Sequence, residues 1–330
     1  MDLALLSNVL VVNAGSSSLK LRLLDGADEV AESADLPEGR AGLDAMKELL
    51  DVWPSFAASG HRVVHGGSRF TTSVLVDDTV VGELGSLSAL APLHNPAAVA
   101  GIRALRRHRP VCPAVACFDT SFHSTLPDEA AVYGIPWQWT ETLGVRRFGF
   151  HGLSYAGATR RAAWLLDREV SELKLVICHL GAGASLAAVA AGRSVDTTMG
   201  FTPLEGLIMA TRSGSVDPGA LLWIQEQLGL SPADMADRLD LSSGLLGMSG
   251  VSADMREVQS AAEQGQARAK LALAAYTHRV RASIAAMAAS MGGVDAIIFT
   301  GGVGEASPQI RSLACQGLEF LGVELDEARN

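Results

Sequence analysis

The stretch from Leu175 to Gly219, LVICHLGAGASLAAVAAGRSVDTTMGFTPLEGLIMATRSGSVDPG, decides how the rest of the chain is read. It opens on a short apolar run, Leu175 to Cys178, that predicts a buried strand. It then turns through Gly181 and Gly183 into a second strand with an alternating pattern. Glycines in such a turn let a ligand approach a backbone whose N–H groups are exposed, and a row of those donors suits phosphate oxygens. Arg212 stands further on in a polar loop, ATRSGS, ahead of Asp217-Pro218-Gly219. A forked cation there can hold a phosphate or a carboxylate at a cleft. The plainer alternative is a glycine hairpin beside a solvated arginine, because short glycine motifs recur by chance.

The first residues repeat this organisation. Val9 to Val12 reads as a short strand, Asn13 to Ser18 as a glycine-containing turn, and LKLRLL from Leu19 alternates apolar and polar positions. Ser18-Leu19 echoes Ser185-Leu186, so an internal duplication is expected, with two phosphate-binding turns on opposite walls of one cleft. The competing reading is that any hairpin resembles any other.

Composition bounds the answer. A chain of 330 residues is long enough for two domains, and an apolar share of 48% with 19% charged residues describes a globular protein. The net charge of −10 argues against a nucleic-acid or anionic-membrane partner. An anionic substrate must therefore be held by local arginines against the overall field. The four cysteines, Cys112, Cys117, Cys178 and Cys315, lack CxxC spacing and read as buried thiols of a reducing compartment. The N-terminus carries an acid in place of a basic export signal, and Ala282 to Val294 is too short to span a bilayer, so a cytoplasmic protein is expected.

Several other positions stand out. GHRVVHGG sets His61, Arg62 and His65 around a strand end, with Arg62 either a solvated cation or a ligand to an anion. In APLHNP, Asn95 reads as the N-cap of a helix that has Pro96 at its first position and runs to about Arg107, and His94 just before it can meet an anion or be structural. Val111 to Phe118 predicts a strand that delivers Asp119 at its carboxyl end, where α/β sheets bind ligands, although an Asp capping the next turn competes. Trp137 and Trp139 read as a packed loop, and His151 sits between glycines in GFHG. Later, Pro232 to Leu241 predicts a helix, and SSGLLGMSGVSADMR is a glycine-rich connector ending at Asp254 and Arg256. Leu273, Tyr276, Val280, Ile284, Met287 and Met291 fall at helical spacing and form a core stripe ended by Gly292-Gly293. DAIIFT then feeds GGVGEAS, a third glycine turn, with Ser307-Pro308 opening a helix. Neither GxxxxGK[ST] nor a full GxGxxG occurs, so Walker-A and Rossmann sites are not supported.

Taken together, NAGSSSLK, HRVVHGG, APLHNP, FDTSFH, GFHG, HLGAG, FTPLEG, TRSGSVDPG, SGLLGMSGVSADMR and FTGGVGE occur in the order and approximate spacing of the acetate kinases. The chain resembles that family over nearly its whole length. The resemblance implies an α/β protein with two duplicated actin-like, sugar-kinase-like (ribonuclease H-like) domains around a nucleotide cleft. It divides the chain into residues 1–121 and 122–330, the second carrying most nucleotide contacts and a homodimer interface. It also implies reversible phosphoryl transfer from ATP to acetate or another short-chain carboxylate, giving acetyl phosphate and ADP, with Mg²⁺ or Mn²⁺ as cofactor.

Acetate is ionised at neutral pH, so the work is positioning two anions and neutralising a loose in-line transition state. The family's roles carry over as catalytic Asp119, His151, Arg212 and Arg62. Asp119 is treated in the family as an acid/base and is read here as orienting Mg²⁺ or Arg62. The acyl group falls to Arg62, Val64, Leu93, His94, Phe150 and Pro203, and Asn13 to a metal-linked position. Nucleotide contacts fall on Lys20, on His179, Leu180, Gly181, Ala182 and Gly183, on Asp254, Met255 and Arg256, and on Gly302, Val303, Gly304, Glu305 and Ala306. The apolar methyl pocket favours acetate or propionate. Three departures stand against the family pattern: Ala182 and Ala306 replace asparagines, and the family's C-terminal strand, metal-holding glutamate and helix have no counterpart before Asn330. These departures lead to an expectation of reduced or absent kinase activity, with a non-catalytic nucleotide-binding protein or a propionate-preferring kinase as the alternatives.

Overall fold

A computed structural model describes residues 8–15, 18–92 and 94–330, so Ser16, Ser17 and the acyl-pocket candidate Leu93 lie outside the described residues. Two compact units divide the chain, Met1–Phe122 and His123–Asn330.

In the first unit, β1 (Val9–Ala14), β2 (Leu19–Leu24), β3 (Val30–Leu36), β4 (Ala58–Val63), β5 (Val74–Leu75) and β6 (Ala114–Phe118) form one sheet. Its order is β3-β2-β1-β4-β6-β5. The β1/β2 and β2/β3 pairs are antiparallel, whereas β4 lies parallel to both β1 and β6. Alternation does the burying: Leu10 and Val12 of β1 and Leu21 and Leu23 of β2 are enclosed with Met46 and Leu50 of the helix Gly39–Val52. A second cluster, with Phe70 stacked on Phe118 at 5.0 Å, encloses Val63, Leu84, Val99 and Ile102.

In the second unit, β7 (Lys174–Leu180), β8 (Ala184–Ala190), β9 (Arg193–Thr197) and β10 (Ala296–Thr300) are ordered β10-β7-β8-β9. β7/β8 and β8/β9 are antiparallel and β10 is parallel to β7. The four strands β1 to β4 and the four strands β7 to β10 thus repeat one topology, so the duplication suggested by the two glycine turns is present in the fold. The core stripe of the helix Ala267–Met291, including Leu273, Tyr276, Val280 and Ile284, is buried, and Gly292 ends the helix in the left-handed conformation.

Several local expectations change. Trp137 and Trp139 are not in a packed loop but on a helix, Trp137–Leu143, and both rings are exposed. GGVGEA is not a turn but a helix, Gly301–Ala306, directly after β10, and the connector before Asp254 contains a short helix, Gly244–Ser249. Asn95 is not an N-cap. The helix Asn95–His108 has His94 at that position with no side-chain cap. Asn95 is instead wholly buried and clamps the chain after β4, accepting from the His65 N–H at 3.1 Å and donating to the His65 carbonyl at 3.0 Å. A carboxamide can serve both backbone groups of one residue, and burial makes that use more stabilising than a cap at the surface. Cys178 and Cys315 are buried thiols, whereas Cys112 and Cys117 are only half-buried.

Candidate active site

Parallel neighbours end side by side, so the carboxyl ends of β1, β4 and β6 bring Asn13, Arg62 and Asp119 together in the first unit. Arg62 donates from Nε to both Asp119 oxygens, at 3.2 and 3.0 Å, and from Nη2 to Oδ2 at 2.6 Å. Its Nη1 donates to Asn13 Oδ1 at 3.2 Å. Asp119 is 2% exposed, so its charge is compensated almost entirely by this guanidinium. The carboxylate in turn raises the Arg62 pKa. Lys20 is the register partner of Asn13 across β1 and β2, which sends both side chains off one face of the sheet. Its ammonium lies 3.8 Å from Asp35. Val64 is buried immediately after β4.

Behind Arg62, on the opposite phase of β4, His61 is buried and its Nε2 lies 3.1 Å from Ser59 Oγ. Among the described residues its Nδ1 has no hydrogen-bond partner, and burial lowers its pKa to about 4. His61 is therefore a neutral core residue.

In the second unit the site is built around the turn between β7 and β8. His151 has φ of +60° and opens the helix Gly152–Leu166. Its ring stacks on His179 with centroids 4.2 Å apart. Ser154 Oγ lies 2.9 Å from His179 Nδ1, and Ser185 Oγ lies 2.8 Å from His151 Nδ1. Gly183 is where the functional groups meet: a Cβ there would stand 3.3 Å from His151 Nε2 and 3.4 Å from Arg212 Nη1. Arg212 also donates to the Pro203 carbonyl at 3.2 Å and lies 3.9 Å from Asp240, whose pKa burial raises against the pull of the guanidinium. A cation and an imidazole thus stand over a glycine turn, an arrangement suited to phosphoryl oxygens. Phe150, the residue before His151, is buried.

Beside this turn lies a cavity of about 830 Å³. Gly181, Ala182, Asp254, Met255, Arg256, Gly302, Val303 and Ala306, all nucleotide candidates by resemblance, line it. His179, Leu180, Gly183, Gly304 and Glu305 are not among its lining residues. Leu180 is core, Gly304 packs on Phe299, and Glu305 Oε1 accepts from the Gly301 N–H at 3.1 Å. Asp254 caps the helix Met255–Glu263 and pairs with Arg256, which holds its carboxyl at about 2. Gln259 and Gln309 were missed by motif reading although both line the cavity and join at 2.5 Å. Their one sequence signal was weak: Gln259 falls one helical turn after Met255, so it shares that helix face.

In the first unit both Asp119 oxygens and Asn13 Oδ1 accept from Arg62, so a metal there would share these oxygens with the guanidinium. No group of three or more His, Cys, Asp or Glu side chains suited to a metal occurs among the described residues.

With this geometry in view, residues 42–330 match the model of the acetokinase family. The acetate kinase of Thermoanaerobacter pseudethanolicus is 44% identical, over 98% of this chain and 89% of the relative. The crystal structure of Porphyromonas gingivalis acetate kinase superposes with a TM-score of 0.91 at 36% identity, covering 98% of this chain and 90% of that one. A propionate kinase from Francisella tularensis gives the same TM-score and identity, with 98% and 91% covered.

Proposed function

The chain belongs to the acetokinase family, and from that premise we propose that it transfers the γ-phosphoryl group of ATP to acetate, reversibly, by in-line attack of the carboxylate. The observation that carries this reading is the meeting of His151 Nε2 and Arg212 Nη1 over Gly183, at a turn whose Gly181 and Ala182 also line the large cavity. In this reading the cavity takes the nucleotide and the turn takes its terminal phosphates. Arg212 and His151 donate to the equatorial oxygens as charge spreads over them. Arg62, held flat by Asp119 and Asn13, presents its remaining N–H groups to a carboxylate or phosphoryl oxygen. Asp119 orients Arg62 and abstracts no proton, because the acceptor is already ionised. Val64 and His94 in the first unit, and Phe150 and Pro203 in the second, are the residues that the family resemblance offers for the acyl group. A methylene discriminates by only ~1–3 kcal/mol, so acetate and propionate are both accepted.

Mg²⁺ or Mn²⁺ would come with the nucleotide and neutralise charge on its phosphates, and such an ion needs only one or two protein oxygens. Asn13 Oδ1 keeps a lone pair for an ion-bound water. We also propose a homodimer through the second unit, supported by the exposed Leu222, Trp223 and Leu228 of one helix, Pro218–Leu228. A cytoplasmic location accords with four free thiols and a need for ATP. No helix of the described residues is long and apolar enough to cross a membrane.

Trapping the acyl phosphate as a hydroxamate, beside calorimetry of ATP binding, tests the reading. Product formed in proportion to enzyme supports it. Nucleotide binding without product supports the non-catalytic alternative, which Ala182 and Ala306 favour by placing methyl groups in the cavity where the family has carboxamides.

A further inference from the structure

His151 is one end of a short chain of hydroxyl groups. Its Nδ1 lies 2.8 Å from Ser185 Oγ, and the same oxygen lies 2.5 Å from the Tyr155 hydroxyl. Ser185 and Tyr155 are both fully buried, the serine on β8 and the tyrosine one turn into the helix that His151 opens. A serine hydroxyl has one proton and two lone pairs, so it donates at most one of these two contacts. A phenol is a far stronger acid than an alkanol, and it is the preferred donor of such a pair. With the serine proton given to His151 Nδ1, the order runs Tyr155 to Ser185 to His151 Nδ1, which leaves the imidazole hydrogen on Nε2. That atom lies 3.3 Å from the Cβ position of Gly183, and Arg212 Nη1 lies 3.4 Å from the same position.

We propose that Ser185 and Tyr155 are positioning residues that lock His151 in its Nε2–H tautomer and aim that hydrogen at the phosphate-binding turn. Neither touches a substrate; both act through the imidazole. His179 follows the same rule, with Ser154 on its Nδ1 and its Nε2 3.7 Å from the Cβ position of Gly181. The two stacked rings thus present Nε2 to the same glycine turn. The φ of +60° at His151 belongs to this device, since a left-handed residue is held only where its surroundings over-determine it. Stacking fixes the ring plane, and the serine hydroxyl fixes which edge faces the turn.

The inference rests on the phosphotransfer reading for its catalytic consequence, but the tautomer can be read without activity. Long-range ¹H–¹⁵N correlation spectra of the histidine-labelled full chain report which ring nitrogen carries hydrogen, with His151→Gln assigning the signal. The wild type is expected to show Nε2–H. Ser185→Ala is expected to give a mixture or Nδ1–H and to raise the pH at which His151 titrates, because a donor to the neutral ring has gone. It should also lower kcat about 10- to 100-fold, with KM for acetate and ATP nearly unchanged. Tyr155→Phe, which keeps the ring volume, should shift both readouts the same way by less, and it carries the test alone should the serine variant fail to fold. An Nδ1–H wild type overturns the proposal, as does a folded variant with unchanged tautomer and kcat. Were the wild type to form no acyl phosphate, the phosphotransfer reading would fall while the spectra still decided the tautomer.

Discussion

Asp119→Asn is the sharpest perturbation of the first unit. The substitution keeps shape and volume but replaces an acceptor oxygen by an NH₂ group facing Arg62, which has donors only. Three contacts of 2.6 to 3.2 Å to a carboxylate 2% exposed are disturbed, and the Arg62 side chain is 31% exposed, so part of the loss returns as hydration. Breaking a fully buried pair costs ~3–5 kcal/mol, and the partly exposed guanidinium brings this to about 2–4 kcal/mol. If that loss falls on the orientation of Arg62, kcat drops by about 30- to 1,000-fold. Hydroxamate assays between pH 6 and 9 should show the drop at every pH, because acetate needs no base. Ammonia-free urea titrations should show a smaller loss of stability than expected for a residue that only holds the sheet together. Activity of the variant that recovers as pH rises would refute the orienting role and point to proton abstraction. A kcat within about threefold of wild type would remove Asp119 from the site altogether.

Three further outcomes follow from the same geometry. Gly183→Ala places a methyl 3.3 and 3.4 Å from His151 Nε2 and Arg212 Nη1, and should cut kcat by about tenfold or more with little change in melting temperature by calorimetry. Ala182→Asn adds a carboxamide at the cavity wall and should tighten ATP binding by about 2- to 10-fold in calorimetry, the worth of one hydrogen bond. His61 titrates near 4 when folded against about 6.5 when unfolded, so the unfolded chain binds the extra proton in that window. Stability is therefore complete above pH 6.5 and falls by up to about 3 kcal/mol as pH drops toward 4, a slope in urea midpoints that His61→Leu should flatten.

The elements that the sequence disclosed are those whose burial is periodic. β1 and β2 alternate, β7 is a continuous apolar run, and the helix Ala267–Met291 carries its stripe at steps of three and four. β3 went unread because VAESADL is largely exposed and borrows its order from β2 alone. The helix that His151 opens was equally hidden, since its small residues give little contrast between faces. In the site, arginines and glycines were legible as residue types suited to anions. Ser185, Tyr155, Ser154 and Gln259 were not, because serine, tyrosine and glutamine are ordinary anywhere until a partner is known.

By itself, then, the chain determined its two repeated strand-turn-strand units and the family, and it offered the residue types suited to phosphate. Local pattern and ordered motifs suffice for that, since both are properties of neighbouring residues. Which of those residues act on one another was decided only in three dimensions. Arg62 meets Asp119 across 57 positions because β4 and β6 are parallel neighbours that end together, and Asn95 leaves its cap for His65 because the fold brings a buried backbone pair to it. Hydrogen bonds depend on ångström separations that sequence spacing does not encode once the chain has crossed over and returned.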